Sequence, residues 1–246
     1  LVFEALSEGR IRLDDVITVS PRAASQPPSK LGLAAGQTIT VEDAMRATAV
    51  RSANDMAVAL AEHIAGSEAR FTAQMTLKAE ELGMSQTRYV NANGLPDARQ
   101  LTSARDLAIL CRAIMRDFPQ YYRYFSVNDW EYEGRQYRNT NGLLAQNGYD
   151  GIKTGYTNAS GYNLAASAVR DGRRLIAIVL GGRSSASRNA HLAELMETGF
   201  DVVRRRASGE TIEVAQVFFE QRGYGIGPDN APAVVYASVE TGEAAS

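Results

Sequence analysis

The sequence predicts an α+β (mixed α/β) fold: an antiparallel sheet covered by helices, with an all-helical lobe inserted ahead of it. Three observations predict it. Apolar positions recur at helical spacing between recognisable caps through residues 40–125, residues 164–180 read as a hairpin, and Ser185 to Thr198 is again helical.

The helices are justified by their ends. Thr40 reads as an N-cap with Asp43 three residues on, for a helix carrying Val41, Ala44, Met45 and Ala49. After Arg51-Ser52-Ala53-Asn54 a second helix carries Met56, Ala59, Leu60, His63 and Ile64 and stops at Gly66. Ser67 restarts the chain through Phe71, Met75, Leu77 and Leu82 to Gly83. Ser103 and Asp106 open a fourth helix, through Leu107, Leu110, Ile114 and Met115.

The strands are justified by their turn. Leu164 to Arg170 and Arg173 to Leu180 are joined by Asp171-Gly172, a pair that tolerates positive φ at both corners of a two-residue turn. The run LIAIVL is apolar on both faces, which predicts a central strand covered by helices on each side. Tyr149 to Tyr156 is short and compatible with a strand.

Composition excludes several function classes. The 246 residues are 45% hydrophobic and 22% charged, enough to bury a sizeable core, and the formal charge of -2 offers no overall basic field for nucleic acid. No apolar run approaches the roughly 20 residues of a membrane-spanning helix. The single cysteine, Cys111, excludes an intramolecular disulfide and any multi-cysteine zinc site. His63 and His191 are the only histidines, and neither lies in a metal-ligand spacing, so no metal and no cofactor is expected. Leu1 to Leu6 reads as the middle of an apolar helix without a cap, which predicts a piece of a longer precursor. The acidic stretch 207–246 is expected to be a poorly structured tail or the start of a linker.

Two short motifs stand out. Of 26 basic residues only Lys30, Lys78 and Lys153 are lysine, and Lys153 lies in Asp150-Gly151-Ile152-Lys153-Thr154-Gly155-Tyr156. Glycine at 155 would let another chain approach the strand backbone, although an edge-strand lysine that discourages aggregation reads equally simply. Ser52-Ala53-Asn54 places a hydroxyl and an amide two residues apart on a turn; read alone, Ser52 or Asn54 caps the helix that follows.

Taken together and in this order, Ser-x-Asn and Lys-Thr-Gly resemble the penicillin-recognising serine transferases and hydrolases, which include penicillin-binding proteins and serine β-lactamases. The stretches GQTITVEDAMRATAVRSANDMAVALAEHIAGS, NANGLPDARQLTSARDLAIL, NTNGLLAQNGYDGIKTGYTNASGYNLAASA and LIAIVLGGR narrow the resemblance to the low-molecular-weight D-alanyl-D-alanine carboxypeptidases. It runs from Leu1 to about Arg204.

The resemblance implies a β-lactamase/transpeptidase-like catalytic domain over residues 1–206. It implies a serine enzyme that trims the terminal D-alanine of peptidoglycan stem peptides outside the cytoplasmic membrane, in the periplasm, and is inhibited by β-lactams. By similarity, Ser52 relays a proton between a catalytic lysine and the leaving amine, and Asn54 binds the substrate backbone and helps fix that lysine. Lys153 supplies positive charge, Thr154 a hydroxyl for the terminal carboxylate, and Gly155 a backbone free to pair with the peptide. Arg183 is a candidate second carboxylate anchor, and Thr140 stands where some relatives carry arginine.

The family's nucleophile and base form Ser-x-x-Lys, and this sequence has none. Pro27, Met75 and Asp150 stand three residues before its three lysines. The missing pair is expected shortly before Leu1, and any membrane anchor outside the chain. The alternatives are a D,D-endopeptidase or β-lactamase of the same superfamily, or a non-catalytic cell-wall-binding module.

Overall fold

Hydroxyl caps start three of the lobe's helices where the spacing predicts them. In the computed structural model, which describes residues 1–212 and 219–220, the chain divides into two units, Leu1–Glu197 and Thr198–Ser246. The predicted loose tail lies mostly outside the described residues. The first unit opens with α1 (Val2–Ser7), β1 (Val16–Thr18), α2 (Pro21–Ala24) and β2 (Thr38–Thr40), the two strands pairing antiparallel.

The helical lobe follows. The Thr40 hydroxyl accepts the Asp43 N–H at 3.1 Å and opens α3 (Val41–Arg46), which runs directly into a π-helical turn (Ala47–Arg51). Next come α4 (Asn54–Ala65), ended by Gly66 in the left-handed conformation, and α5 (Glu68–Glu81), capped by Ser67. Ser103 caps α6 (Ala104–Asp117). Val41, Ala44, Val50, Met56, Val58 and Leu60 are buried together in one core with Ile17 of β1, Ile39 of β2 and the neighbouring Val19. That shared core sets α4 against the rest of the unit.

A 3-10 turn (Tyr122–Ser126), the hairpin β3 (Asp129–Tyr132) and β4 (Arg135–Arg138), and a second 3-10 turn (Gly142–Ala145) lead to the main sheet. That sheet is β5 (Tyr149–Thr157), β6 (Gly161–Arg170) and β7 (Arg173–Gly182), antiparallel in the order β5-β6-β7. Asp171 (φ 49°) and Gly172 (φ 71°) make the predicted turn. The helix α7 extends to Ser185–Ala207, further than predicted.

One expectation is corrected. Among the described residues β6, not the LIAIVL strand β7, is central. Within that run only Val179 is buried and Leu180 is 41% exposed, so the apolar run reports neither full cover on both faces nor the strand's place in the ladder. The Ile176 and Ile178 side chains of β7 pack against a cluster with Cys111 of α6. The central strand carries Ala166, Ser167 and Ala168, each fully buried, whose small side chains give a weak hydrophobic signal in sequence.

Gly182 shows how α7 meets the sheet. A Cβ there would lie 2.8 Å from the Cβ of Arg188, so glycine is what lets the start of the helix close on the strand. Leu164, a large and fully buried residue of β6, is 1% exposed. Leu164→Ala is expected to cost about 2–5 kcal/mol in chemical denaturation, and a loss below about 1 kcal/mol would contradict this packing.

Candidate functional site

Ser52 reaches its position through an unusual backbone. The π-helical turn ends with the Ser52 N–H donating to the Ala47 carbonyl, and Ser52 itself adopts φ 60°, ψ 44°. A non-glycine residue there costs about 1–3 kcal/mol, and such strain persists only where the surroundings over-determine it. Neither residue of the motif caps α4 with its side chain. The N-cap is Ala53, which has no side-chain acceptor. The Ser52 hydroxyl is thereby left for another partner.

That partner is Lys153. Its ammonium donates to Ser52 Oγ at 2.9 Å across 101 residues of sequence, and to the Thr154 carbonyl at 2.7 Å. The two motifs singled out in the sequence therefore meet at one point. The next strand residue, Thr154, shares a hydrogen bond with the hydroxyl of Thr140 at 2.6 Å. The loop carrying Thr140 is fixed on both sides. Asn139 donates to the Val127 carbonyl, Asn141 donates to the Gly151 carbonyl at 3.1 Å, and the Thr140 N–H donates to Val50 of the π turn. The loop thus ties the helical lobe to β5 and offers the hydroxyl of Thr140 to Thr154.

Electrostatics distinguish this point from the rest of the molecule. Burial, and then the charge of Arg188, push the Lys153 ammonium down to about 8. Arg188 is itself only 3% exposed, and burial lowers its pKa too. Its guanidinium donates to the Asn163 carbonyl, to Ser185 Oγ and to Asn189 Oδ1. Among the described residues no carboxylate forms an ion pair with either cation. Two desolvated positive charges without a counter-ion favour the arrival of an anion.

Arg188 is the residue that sequence reasoning missed. Its signal was present: it stands four and eight residues before Leu192 and Met196, both buried, so it lies on the inward stripe of α7. The expected anchor, Arg183, lies in the exposed turn after β7 and is not among the charges that act on Lys153.

Asn54 is held by a loop far back in the chain. Its side-chain N–H donates to the Pro27 carbonyl at 3.0 Å and its backbone N–H to the Ser29 carbonyl at 2.8 Å. At Gly155 the nearest atom to an added Cβ is 3.9 Å away, so no neighbour within the chain demands glycine there. On β5 it is Gly151 that packing requires as glycine, since a Cβ there would fall 2.5 Å from the Tyr122 hydroxyl. Gly155 lies on β5, which pairs with β6 on one side and leaves its other edge open among the described residues. No three of His, Cys, Asp and Glu gather as a metal cluster among these residues, and no described helix is long and apolar enough to cross a membrane.

Comparison with known proteins agrees with this geometry. The peptidase S11 family of D-alanyl-D-alanine carboxypeptidases matches residues 1–184. The D-alanyl-D-alanine carboxypeptidase DacD of Salmonella typhimurium is 36% identical over 230 residues, which cover 89% of this chain and 59% of DacD. The chain therefore spans less than two thirds of that relative's length. Penicillin binding protein 5 from Haemophilus influenzae superposes with a TM-score of 0.79 at 36% identity, covering 81% of this chain and 60% of that one. Penicillin-Binding Protein D2 from Listeria monocytogenes, in a cefotaxime-bound form, gives 0.72 at 30% identity, covering 81% and 83%. Sequence, fold and the meeting of Ser52 with Lys153 lead to one assignment: the chain belongs to the D-alanyl-D-alanine carboxypeptidase family of S11 peptidases.

Proposed function

We propose that residues 1–206 are the greater part of the catalytic domain of a serine D-alanyl-D-alanine carboxypeptidase. It removes the terminal D-alanine of peptidoglycan stem peptides outside the cytoplasmic membrane, and β-lactams acylate it. The observation that carries this reading is the half-buried ammonium of Lys153 and the buried guanidinium of Arg188, neither in an ion pair with a carboxylate among the described residues, beside the mutually bonded hydroxyls of Thr140 and Thr154 and an open strand edge. A peptide ending in a carboxylate supplies what that arrangement lacks. The cefotaxime-bound Listeria relative supports the β-lactam part, since its fold is shared over most of both chains.

The steps follow from the residues in place. The peptide lies along the open edge of β5, its backbone pairing beside Gly155. Its terminal carboxylate settles near the Thr154 and Thr140 hydroxyls in the field of Lys153 and Arg188. The Ser52 hydroxyl accepts a hydrogen bond from Lys153, so its own proton is free to be donated. It passes that proton towards the leaving amine as the peptide bond breaks and takes in its place the proton that the lysine base removed from the attacking serine. The attacking serine and its lysine base are assigned to a Ser-x-x-Lys on residues outside this chain, because none of the three lysines here has serine three residues before it.

Three outcomes test the reading in the full-length protein. Lys153→Ala should slow acylation by a fluorescent penicillin about a hundredfold, the typical loss when a charge aimed at a reacting centre is removed; unchanged acylation overturns the assignment. The second-order acylation rate reports the free protein, so it should hold level below about 8 and fall above it as the Lys153 ammonium loses its proton. A profile flat to high pH contradicts the need for that charge. Arg188→Met should raise KM at least about tenfold for a peptide ending in D-Ala-D-Ala as the free acid, but not for its C-terminal amide. Equal losses on both peptides would remove Arg188 from carboxylate binding.

A further inference from the structure

The N-terminus of α4 has no side-chain cap from its own N-cap residue, yet its first N–H is satisfied from a distant loop. The loop takes one backbone N–H of the first turn, that of Asn54, which donates to the Ser29 carbonyl, and the Asn54 side-chain Nδ2 donates to the Pro27 carbonyl. In the opposite direction, Asp55 accepts from that same loop. Its Oδ1 takes the Leu31 N–H at 3.0 Å and its Oδ2 the Gly32 N–H at 2.8 Å, while Oδ1 also takes the Met56 N–H at 3.0 Å. Asp55 is fully buried. Two adjacent residues thus grip residues 27–32 with bonds of both polarities, and no regular secondary structure holds the loop there.

This clasp sits two residues from Ser52. The Ala53 N–H still bonds back to Ala47 of the π turn, and Ser52 is held left-handed between the two helices. A shift of the α4 N-terminus therefore moves the Ser52 hydroxyl relative to Lys153. A carboxylate is the group that serves here, because both of its oxygens accept and each faces backbone N–H. A negative charge in the first turn of α4 is also favoured by the helix dipole.

We propose that Asp55 is a positioning residue: with Asn54 it clasps loop 27–32 and so fixes Ser52 against Lys153. The proposal rests on the reading that the Ser52–Lys153 pair is the working part of the site. Asp55→Asn keeps the volume but turns one acceptor into a donor that faces a backbone N–H, which opens the clasp. Asp106 provides the comparison. It is 1% exposed and accepts from the Gln86 N–H and the Thr87 hydroxyl, but it makes no bond to the Ser52 turn or to loop 27–32.

Hydrogen exchange on this chain is the deciding measurement. Asp55→Asn should speed exchange of the Ala53 and Asn54 amides at least tenfold, together with Leu31 and Gly32, while Asp106→Asn leaves these four unchanged. In the full-length protein Asp55→Asn should slow penicillin acylation at least tenfold per folded molecule, and Asp106→Asn should not. Unchanged exchange at Ala53 and Asn54, unchanged acylation, or equal effects from the two variants overturns the proposal. If Asp55→Asn does not fold, exchange of the unaltered chain in low denaturant decides: the four amides should open as one unit, and faster separate opening of Leu31 and Gly32 contradicts the clasp. A wild-type protein that takes up no penicillin removes the functional reading, and the exchange result still decides this one.

Discussion

Holding the half-buried ammonium of Lys153 and the buried guanidinium of Arg188 with no ion-paired carboxylate among the described residues is the constraint on which the site depends. Neither group is where an isolated charge is most stable. Burial lowers the pKa of both, and the charge of Arg188 lowers that of Lys153 further. Such an arrangement persists only when hydrogen bonds from fixed acceptors replace water. Lys153 has the Thr154 carbonyl and the Ser52 hydroxyl; Arg188 has Asn163, Ser185 and Asn189. All of these acceptors are neutral, so the charge is solvated but not cancelled.

The fold supplies those acceptors from parts of the chain far apart in sequence. The helical lobe brings Ser52 on a strained turn, the sheet brings Lys153 and Thr154, and α7 brings Arg188 across Gly182. Loop 139–141 joins lobe to sheet through backbone and amide bonds that leave only Thr140 facing Thr154. On the lobe side, loop 27–32 caps α4 from outside, which makes the helix end, the serine turn and the loop mechanically one piece. Strain at Ser52 is tolerable because each of these contacts constrains it from a different direction.

What was legible in the sequence was local, or depended on a short motif. Thr40, Ser67 and Ser103 were readable as caps because a hydroxyl acts on an N–H three residues away. Asp171-Gly172 was readable because the turn's backbone demands positive φ. The meeting of Ser52 with Lys153 was readable only through resemblance, since nothing in either segment points at the other. The cap reading of Ser52 failed because Ser52 ends the π turn in the left-handed conformation and the N-cap position of α4 falls on Ala53. The place of β7 was misread because the apolar content of a strand does not report its neighbours. Arg188 was missed because, in a chain whose basic residues are nearly all arginine, one guanidinium on an inward stripe looks like many on outward ones. The hold on Asn54 was not legible because its partners, Pro27 and Ser29, lie in a loop with no pattern to mark it.

The direct test is an NMR titration of the Lys153 ammonium in this chain, with and without N-acetyl-D-alanine as the anion. The account predicts that Lys153 alone titrates near 8 and that the added carboxylate moves it back up towards the ordinary ammonium range. A lysine that titrates normally from the start, or one that does not respond to the carboxylate, would contradict it.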